Sequence, residues 1–201
     1  IAYGLCDQGK DGRYLVFDLG GGTLDVSILE RFQNIFEVHA IAGDNFLGGE
    51  DFTRTLTELF AGRAGLNLQT LSPADAFRVY RQAELGKLAL SEGLLAIVTC
   101  ELNGQTYSAA ISRKDYEEAC QPLLQRIRKP VERSLRDAGI SADEIDGILL
   151  VGGASKSPIV RSFCRKLFGR EPLGGVDPDQ AIAQGAALAA AIKERRAELH
   201  E

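Results

Sequence analysis

Between residues 13 and 43 three strand-like runs follow one another with almost nothing between them: YLVFDLG, LDVSILERF and IFEVHAIAG. Each alternates or runs apolar with β-branched and aromatic content. The first two are broken only by Gly20-Gly21-Gly22-Thr23, and Asn34 marks the second turn. Three short antiparallel strands are predicted. Residues 48–64 and 72–91 then change to a 3.6-residue period, on Phe52, Leu56, Leu59 and Phe60 and on Phe77, Tyr80, Leu85 and Leu88. Two helices are predicted there. Ser72-Pro73-Ala74-Asp75 opens the second with an N-cap, a proline at the first helical position and a first-turn carboxylate.

Residues 94–102 and 107–111 read as a hairpin around Asn103-Gly104. Ser112 is expected to cap a long helical stretch to Ala138, which Pro130 should kink or divide and Gly139 should end. Ser141-Ala142-Asp143-Glu144 has the capping-box spacing of a short helix. Residues 148–151 are a brief wholly apolar strand of the kind covered on both faces of a sheet, and they run straight into Gly152-Gly153. A helix over 158–168, stopped by Gly169, and an alanine-rich helix over about 179–199 complete the chain, with no internal repeat. Strands followed by helices, twice over, imply an α/β sheet with a smaller subdomain inserted between about residues 46 and 121.

The 201 residues are 45% hydrophobic and 25% charged, which excludes disorder, collagen and coiled coil. No apolar run approaches the roughly 18–20 residues of a membrane span. The first twenty residues lack the basic start and apolar core of a secretory signal. A net charge of −5 argues against a nucleic-acid binder that reads the backbone. The basic stretch at 126–136 alternates with apolar residues, as one wet helix face would. Cys6, Cys100, Cys120 and Cys164 are scattered, with no C-x-x-C and only two histidines, which argues against zinc. They read as buried small hydrophobes of a reducing cytosol. The chain has no methionine and opens on Ile1-Ala2-Tyr3-Gly4, so an excised piece of a longer protein is expected.

Several segments carry possible chemistry. In DLGGGTLD, residues 18–25, three glycines remove every Cβ that would keep a phosphate off the backbone, and the N–H groups of Gly20, Gly21 and Gly22 can form an anion-binding concavity. Thr23 adds a hydroxyl, and Asp18 and Asp25 bracket the loop and can hold a hydrated Mg²⁺ by its waters. A glycine-rich hairpin with two solvated aspartates is the plain alternative. VGGAS, residues 151–155, again puts paired glycines where a buried strand meets a helix, with Ser157 as cap and Pro158 first in the helix; such a bend is also explicable structurally. Over 176–192 the last helix starts with Asp177 as cap and Pro178 inside, and its Ala183, Ala186, Ala187 and Ala190 read as core packing. Glu84, Lys87 and Ser91, at i, i+3 and i+7, stack along one helical face that can hydrogen-bond a purine and ribose or simply be a surface ion pair. Gly48-Gly49 precedes a helix with Glu50 and Asp51 in its first turn, which a helix start explains locally.

In this order and spacing, DLGGGTLD, GDNFLGGEDF, the E-x-x-K-x-x-x-S stripe, LLVGGAS and DPDQAIAQGAA resemble the second half of the nucleotide-binding domain of DnaK-like heat-shock chaperones, the seventy-kilodalton class. The resemblance covers essentially the whole chain, and EVHAIAGDNFLGGEDFT and LVGGAS look closer to the bacterial HscC-type branch. It implies an α/β, actin-like (ribonuclease H-like) ATPase fold, of which this chain is similar to lobe II alone. A base from residues 1–45 and 122–201 would carry an inserted α+β upper subdomain, residues 46–121.

By position, the resemblance makes Asp18, Thr23 and Asp25 the catalytic set. Asp18 and Asp25 would hold hydrated Mg²⁺ and nearby K⁺, and Gly20, Gly21, Gly22 and Thr23 would contact the β- and γ-phosphates of ATP or ADP. Gly152 and Gly153 would lie by the ribose and α-phosphate. Glu84, Lys87 and Ser91 would reach adenosine, Gly49 would line the cleft and Asp179 would close it. Lys156 and Leu88 stand where relatives often carry arginines that stack on adenine, so looser adenine retention is expected. The implied activity is slow ATP hydrolysis coupled to client-peptide binding in the cytoplasm, with a J-domain co-chaperone and a nucleotide-exchange factor as partners and neither nucleic acid nor membrane. The family's first phosphate loop has no match here, so the chain alone is expected to bind nucleotide weakly with negligible turnover. A non-catalytic docking module for exchange partners stays open as an alternative, as does a sugar kinase or filament relative, against which GDNFLGGEDF speaks.

Overall fold

A computed structural model describes residues 10–33, 35–174 and 177–198. Cys6, Asn34, Val176 and Leu199 lie outside them. The elements in order are β1 (Gly12–Leu19), β2 (Leu24–Phe32), β3 (Ile35–Asp44), α1 (Gly49–Ala64), α2 (Pro73–Glu92), β4 (Leu95–Leu102), β5 (Gln105–Ser112), α3 (Arg113–Ala119), α4 (Gln121–Ala138), β6 (Gly147–Val151), α5 (Pro158–Phe168) and α6 (Ala181–Glu198). The architecture is mixed α/β. It divides into two compact units, one drawn from Ile1–Phe46 and Ile127–Glu201, the other being Leu47–Arg126.

The first unit is built on a four-stranded sheet in the order β3-β2-β1-β6. The strands β1, β2 and β3 pair antiparallel, and β6 joins the other edge of β1 in parallel. All five residues of β6 are buried, which is why they read as a continuous apolar run. Along β1 the two faces alternate. Tyr14 and Val16 pack with Leu29, Leu149, Val151 and Ala181, while Leu15, Phe17 and Leu19 are wholly buried on the other side. Each of the latter contributes about 1.5–3 kcal/mol by leaving water. A β-bulge sets the register of β3. Ile28 pairs with Ala40 but Leu29 with Val38, leaving His39 as the extra residue. That one-residue shift puts Gly43, rather than Ala42, opposite Asp25.

In the second unit Asn103 and Gly104 turn the β4–β5 hairpin with φ of 52° and 75°, the positive pair that a two-residue turn of right-handed twist requires. Ser72 caps α2 by accepting from the Asp75 N–H at 3.1 Å. Ser112 does the same for α3 from the Asp115 N–H at 3.1 Å, and the buried Tyr116 hydroxyl donates to the Phe52 carbonyl at 2.9 Å.

Three expectations are corrected. On α2 the buried seam is Val79, Ala83, Gly86 and Leu90, whereas Phe77 (64%) and Leu88 (56%) are exposed, as is Leu85, and Tyr80 is half-buried. Small residues win this face because α2 lies close against its neighbours: a Cβ on Gly86 would stand 2.6 Å from Val98 Cγ2 and 3.4 Å from Leu56 Cδ2. Pro130 sits inside α4 without dividing it; the break falls at Cys120. Pro122 is the cause, since it lacks the N–H that would reach back to residue 118 and its ring crowds that carbonyl. On α6, Ala183, Ala186, Ala187 and Ala190 are exposed, and among its described side-chain positions the buried ones are Ala181 and Gly185, one turn apart. The Ser141 capping box does form, on a single 3₁₀ turn, with the Glu144 carboxylate accepting from the Ser141 N–H and hydroxyl at 2.9 Å each.

Cys100, Cys120 and Cys164 are buried free thiols, and burial pushes Cys120 and Cys164 up to about 12, so both stay protonated and unreactive. Among the described residues no helix is long and apolar enough to cross a membrane. The α2 seam makes a paired prediction for thermal melts. Gly62→Ala, where a Cβ meets nothing within 4 Å on α1, should stabilise by about 0.5–1 kcal/mol. Gly86→Ala should destabilise by about 1–3 kcal/mol despite the same gain in helix propensity.

Candidate phosphate and metal site

Because β1 and β6 are parallel and in register, with Asp18 beside Val151, their carboxyl ends deliver both glycine bends to one place. Gly152 follows β6 with φ 79°, and a Cβ there would come within 2.6 Å of the Leu19 carbonyl carbon and 2.8 Å of Asp18 Oδ1. The fold itself therefore demands glycine at 152. The bend is held by Gly152 N–H donating to the Pro178 carbonyl at 3.1 Å, and by the Ser155 N–H and hydroxyl donating to the Gly152 carbonyl at 3.1 and 2.7 Å. A Cβ on Gly153 would lie 3.3 Å from Asp179 Oδ1, so the start of α6 closes on the same bend.

The loop between β1 and β2 is different. Gly20 N–H donates to the Thr23 carbonyl at 3.0 Å, but a Cβ on Gly21 or Gly22 would meet nothing within 4 Å. Neither has positive φ, and Gly21, Gly22 and Thr23 are all exposed. Among the described residues no atom stands close enough to exclude a Cβ at either position, so the tip leaves room for an anion to approach the main chain.

Asp18 and Asp25 face each other directly across the β1–β2 ladder. Burial raises the Asp18 pKa, and the Asp25 charge raises it further. Asp25 in turn lies against bare backbone, since a Cβ on Gly43 would be 3.0 Å from Asp25 Oδ1 and 2.6 Å from the Leu24 carbonyl oxygen. A like-charge pair at the mouth of a glycine loop fits a cation held through its water shell. Among the described residues no group of three or more His, Cys, Asp or Glu side chains gathers for direct coordination.

Lys156 does not reach outward. Its ammonium is 2.6 Å from Asp179 Oδ2 and 3.3 Å from Asp177 Oδ1, and these partners, Asp179 first, raise its pKa.

In the second unit Glu84, Lys87 and Ser91 do share one side of α2, but their polar groups already have partners. Lys87 Nζ donates to Thr53 Oγ1 at 2.7 Å and to the Gly49 carbonyl at 3.1 Å. Burial lowers its pKa, against the raising effect of Glu84 and Glu50. The Ser91 hydroxyl donates to the Lys87 carbonyl at 3.2 Å, and Glu84 pairs with Arg81. Gly49 is buried at the start of α1. Sequence reasoning missed Thr53 and Gly43. Thr53 sits one turn beyond Gly49, a spacing visible beforehand, whereas Gly43 depends on the β3 bulge.

Two measurements test this description. Gly152→Ala should lose at least about 2 kcal/mol of stability through positive φ and backbone overlap, while Gly21→Ala should leave it unchanged or raise it by up to about 1 kcal/mol. For Asp18 the folded pKa lies above the unfolded one. Its contribution is therefore fully present below the unfolded carboxylate value and lost as pH rises through the folded value. Asp18→Asn, which mimics the protonated form, should melt higher than the parent at pH 7, with the difference shrinking as pH falls into the carboxylate range.

Residues 1–201 match the family model described as Hsp70 protein. Among curated relatives, chaperone protein HscA homologs from Burkholderia mallei (strain SAVP1) and Burkholderia pseudomallei (strain 668) are each 44% identical over 191 residues, covering 94% of this chain and 30% of the relative. The homolog from Burkholderia lata is 41% identical with the same coverage. All three carry the HscA name, so these relatives do not support the HscC-type branch expected from residues 37–53 and 150–155. The chain spans about 30% of the length of these relatives. On the match to its family model along its whole length and on these identities, the chain belongs to the Hsp70 protein family.

Proposed function

We propose that this chain supplies phosphate and metal-water contacts for Mg-ATP or Mg-ADP. It would be one lobe of an actin-like ATPase, with a base from residues 1–45 and 122–201 and an inserted subdomain, 46–121. The observation that carries the reading is the glycine loop at 20–22. Among the described residues nothing would meet a Cβ on Gly21 or Gly22, and the loop opens beside Asp18, Asp25 and the Gly152 bend.

In this reading the N–H groups of Gly20, Gly21 and Gly22 and the Thr23 hydroxyl donate to the β- and γ-phosphate oxygens. Asp18 and Asp25 accept from metal-bound waters, and Gly152 and Gly153 let the α-phosphate and ribose approach the main chain. Bound Mg²⁺, with K⁺ nearby, supplies neutralisation of phosphate charge. The residues supply position, which is most of what phosphoryl transfer needs. Glu84, Lys87, Ser91 and Gly49 are proposed as adenosine-side contacts, with Lys87 exchanging its Thr53 bond for a ribose hydroxyl. The relatives are named chaperones. We extend to this chain's parent activity the coupling of slow ATP hydrolysis to client-peptide binding in the cytoplasm, with a J-domain co-chaperone and an exchange factor.

The exposed outer face of β4, with Ile97 at 72%, favours the alternative, a docking surface for an exchange partner without nucleotide binding. Thermal melting with Mg-ADP separates the two. Binding should stabilise the 201-residue chain by RT ln(1 + [L]/Kd), about 2.7 kcal/mol at one hundred times Kd. Asp25→Asn should remove the Mg²⁺ dependence of that shift, and Gly21→Val should weaken the shift without lowering the unliganded melting point. No shift at millimolar nucleotide would reject the nucleotide reading and favour docking. Turnover by the chain alone should be negligible; measurable ATPase abolished by Asp18→Asn would overturn that part.

A further inference from the structure

The bend at 152–156 and the turn that starts α6 are joined twice. The Gly152 N–H donates to the Pro178 carbonyl at 3.1 Å. On the side-chain level, the Lys156 ammonium lies between Asp179 Oδ2 at 2.6 Å and Asp177 Oδ1 at 3.3 Å. The turn is itself braced, because Asp177 Oδ1 also accepts from the Asp179 N–H at 3.1 Å, and Asp179 Oδ1 stands 3.3 Å from where a Cβ on Gly153 would be. The partners are about twenty residues apart in sequence, so local geometry does not explain the fork.

We propose that Lys156 is a positioning residue for the nucleotide site rather than a nucleotide contact. By holding the 177–179 turn onto Gly152 and Gly153, it fixes the main chain of the bend that sits on Asp18 Oδ1. A compact ammonium suits this role, because a point charge can serve two carboxylates lying in different directions, where a planar guanidinium is organised for one. The three side chains are partly exposed, so the fork contributes little to global stability. Its effect lies in local opening, which is set by the few bonds crossing between the two segments. The ligand side of the proposal rests on the nucleotide reading above; the cross-link does not.

The test has two arms on the 201-residue chain. In amide hydrogen exchange, Lys156→Met should speed exchange at 152–157 and 177–181 while leaving the melting point nearly unchanged. Asp177→Asn with Asp179→Asn should do the same, the combined variant should add nothing further, and Lys156→Arg should restore part of the protection. Unchanged exchange in Lys156→Met overturns the cross-link whatever the nucleotide does. In the second arm, the Kd for Mg-ADP should rise about two- to fivefold in Lys156→Met and in the double Asp variant alike. A rise in Lys156→Met alone, with the Asp variants unchanged or tighter, would mean that Lys156 touches nucleotide directly and would overturn the positioning role. If the parent chain binds no Mg-ADP at all, the nucleotide reading and the ligand side of this proposal fail together, while the exchange arm still decides the cross-link.

Discussion

The parallel pairing of β6 with β1 is the constraint on which the site depends. Parallel strands in register end at the same edge of a sheet, so whatever follows Leu19 and whatever follows Val151 must share space. The space is small enough that a single Cβ decides the outcome: Gly152 at φ 79° lies on the Leu19 carbonyl group and on Asp18 Oδ1. Open α/β sheets place ligands beyond the carboxyl ends of their strands for the same geometric reason, since the loops there converge and the sheet body stays filled with side chains.

The same edge carries electrostatic strain. Facing Asp18 and Asp25 across adjacent strands is unfavourable, and Asp18 resists ionisation first because it is partly buried and then because of its neighbour. A protein selected only for stability would relieve this. The pair lies beside the loop tip at Gly21 and Gly22, where in the proposed reading a bound cation would offset the repulsion. The bulge at His39 belongs to the same arrangement, for it brings Gly43 opposite Asp25 and leaves no Cβ against that carboxylate.

In the second unit the polar groups of α2 work inward. Lys87 braces α1 through Thr53 and Gly49, and the seam beneath it is made close by Ala83 and Gly86 rather than by large side chains. Phe77, Leu85 and Leu88 face outward, while Leu90 is buried in the seam. A helix face cannot be chosen from apolar spacing alone when two stripes are available and the partner surface requires small residues.

What the sequence by itself determined was whatever depends on chemistry within a few residues. The three strands and their glycine break, the Ser72 and Ser112 caps, the Asn103-Gly104 turn and the wholly buried β6 are of this kind, because periodicity, a missing Cβ or a side-chain oxygen near a free N–H acts locally. The break at Cys120 belongs with them, since Pro122 stood in plain view two residues on. Tertiary structure alone decided which stripe of α2 is buried, that Ala183, Ala186, Ala187 and Ala190 on α6 face outward, and that Gly152 is demanded by the fold while Gly21 and Gly22 are not. It also decided that Lys156 turns to Asp177 and Asp179. Each of these is a distance between groups far apart in the chain, and such distances exist only once the sheet has set its register.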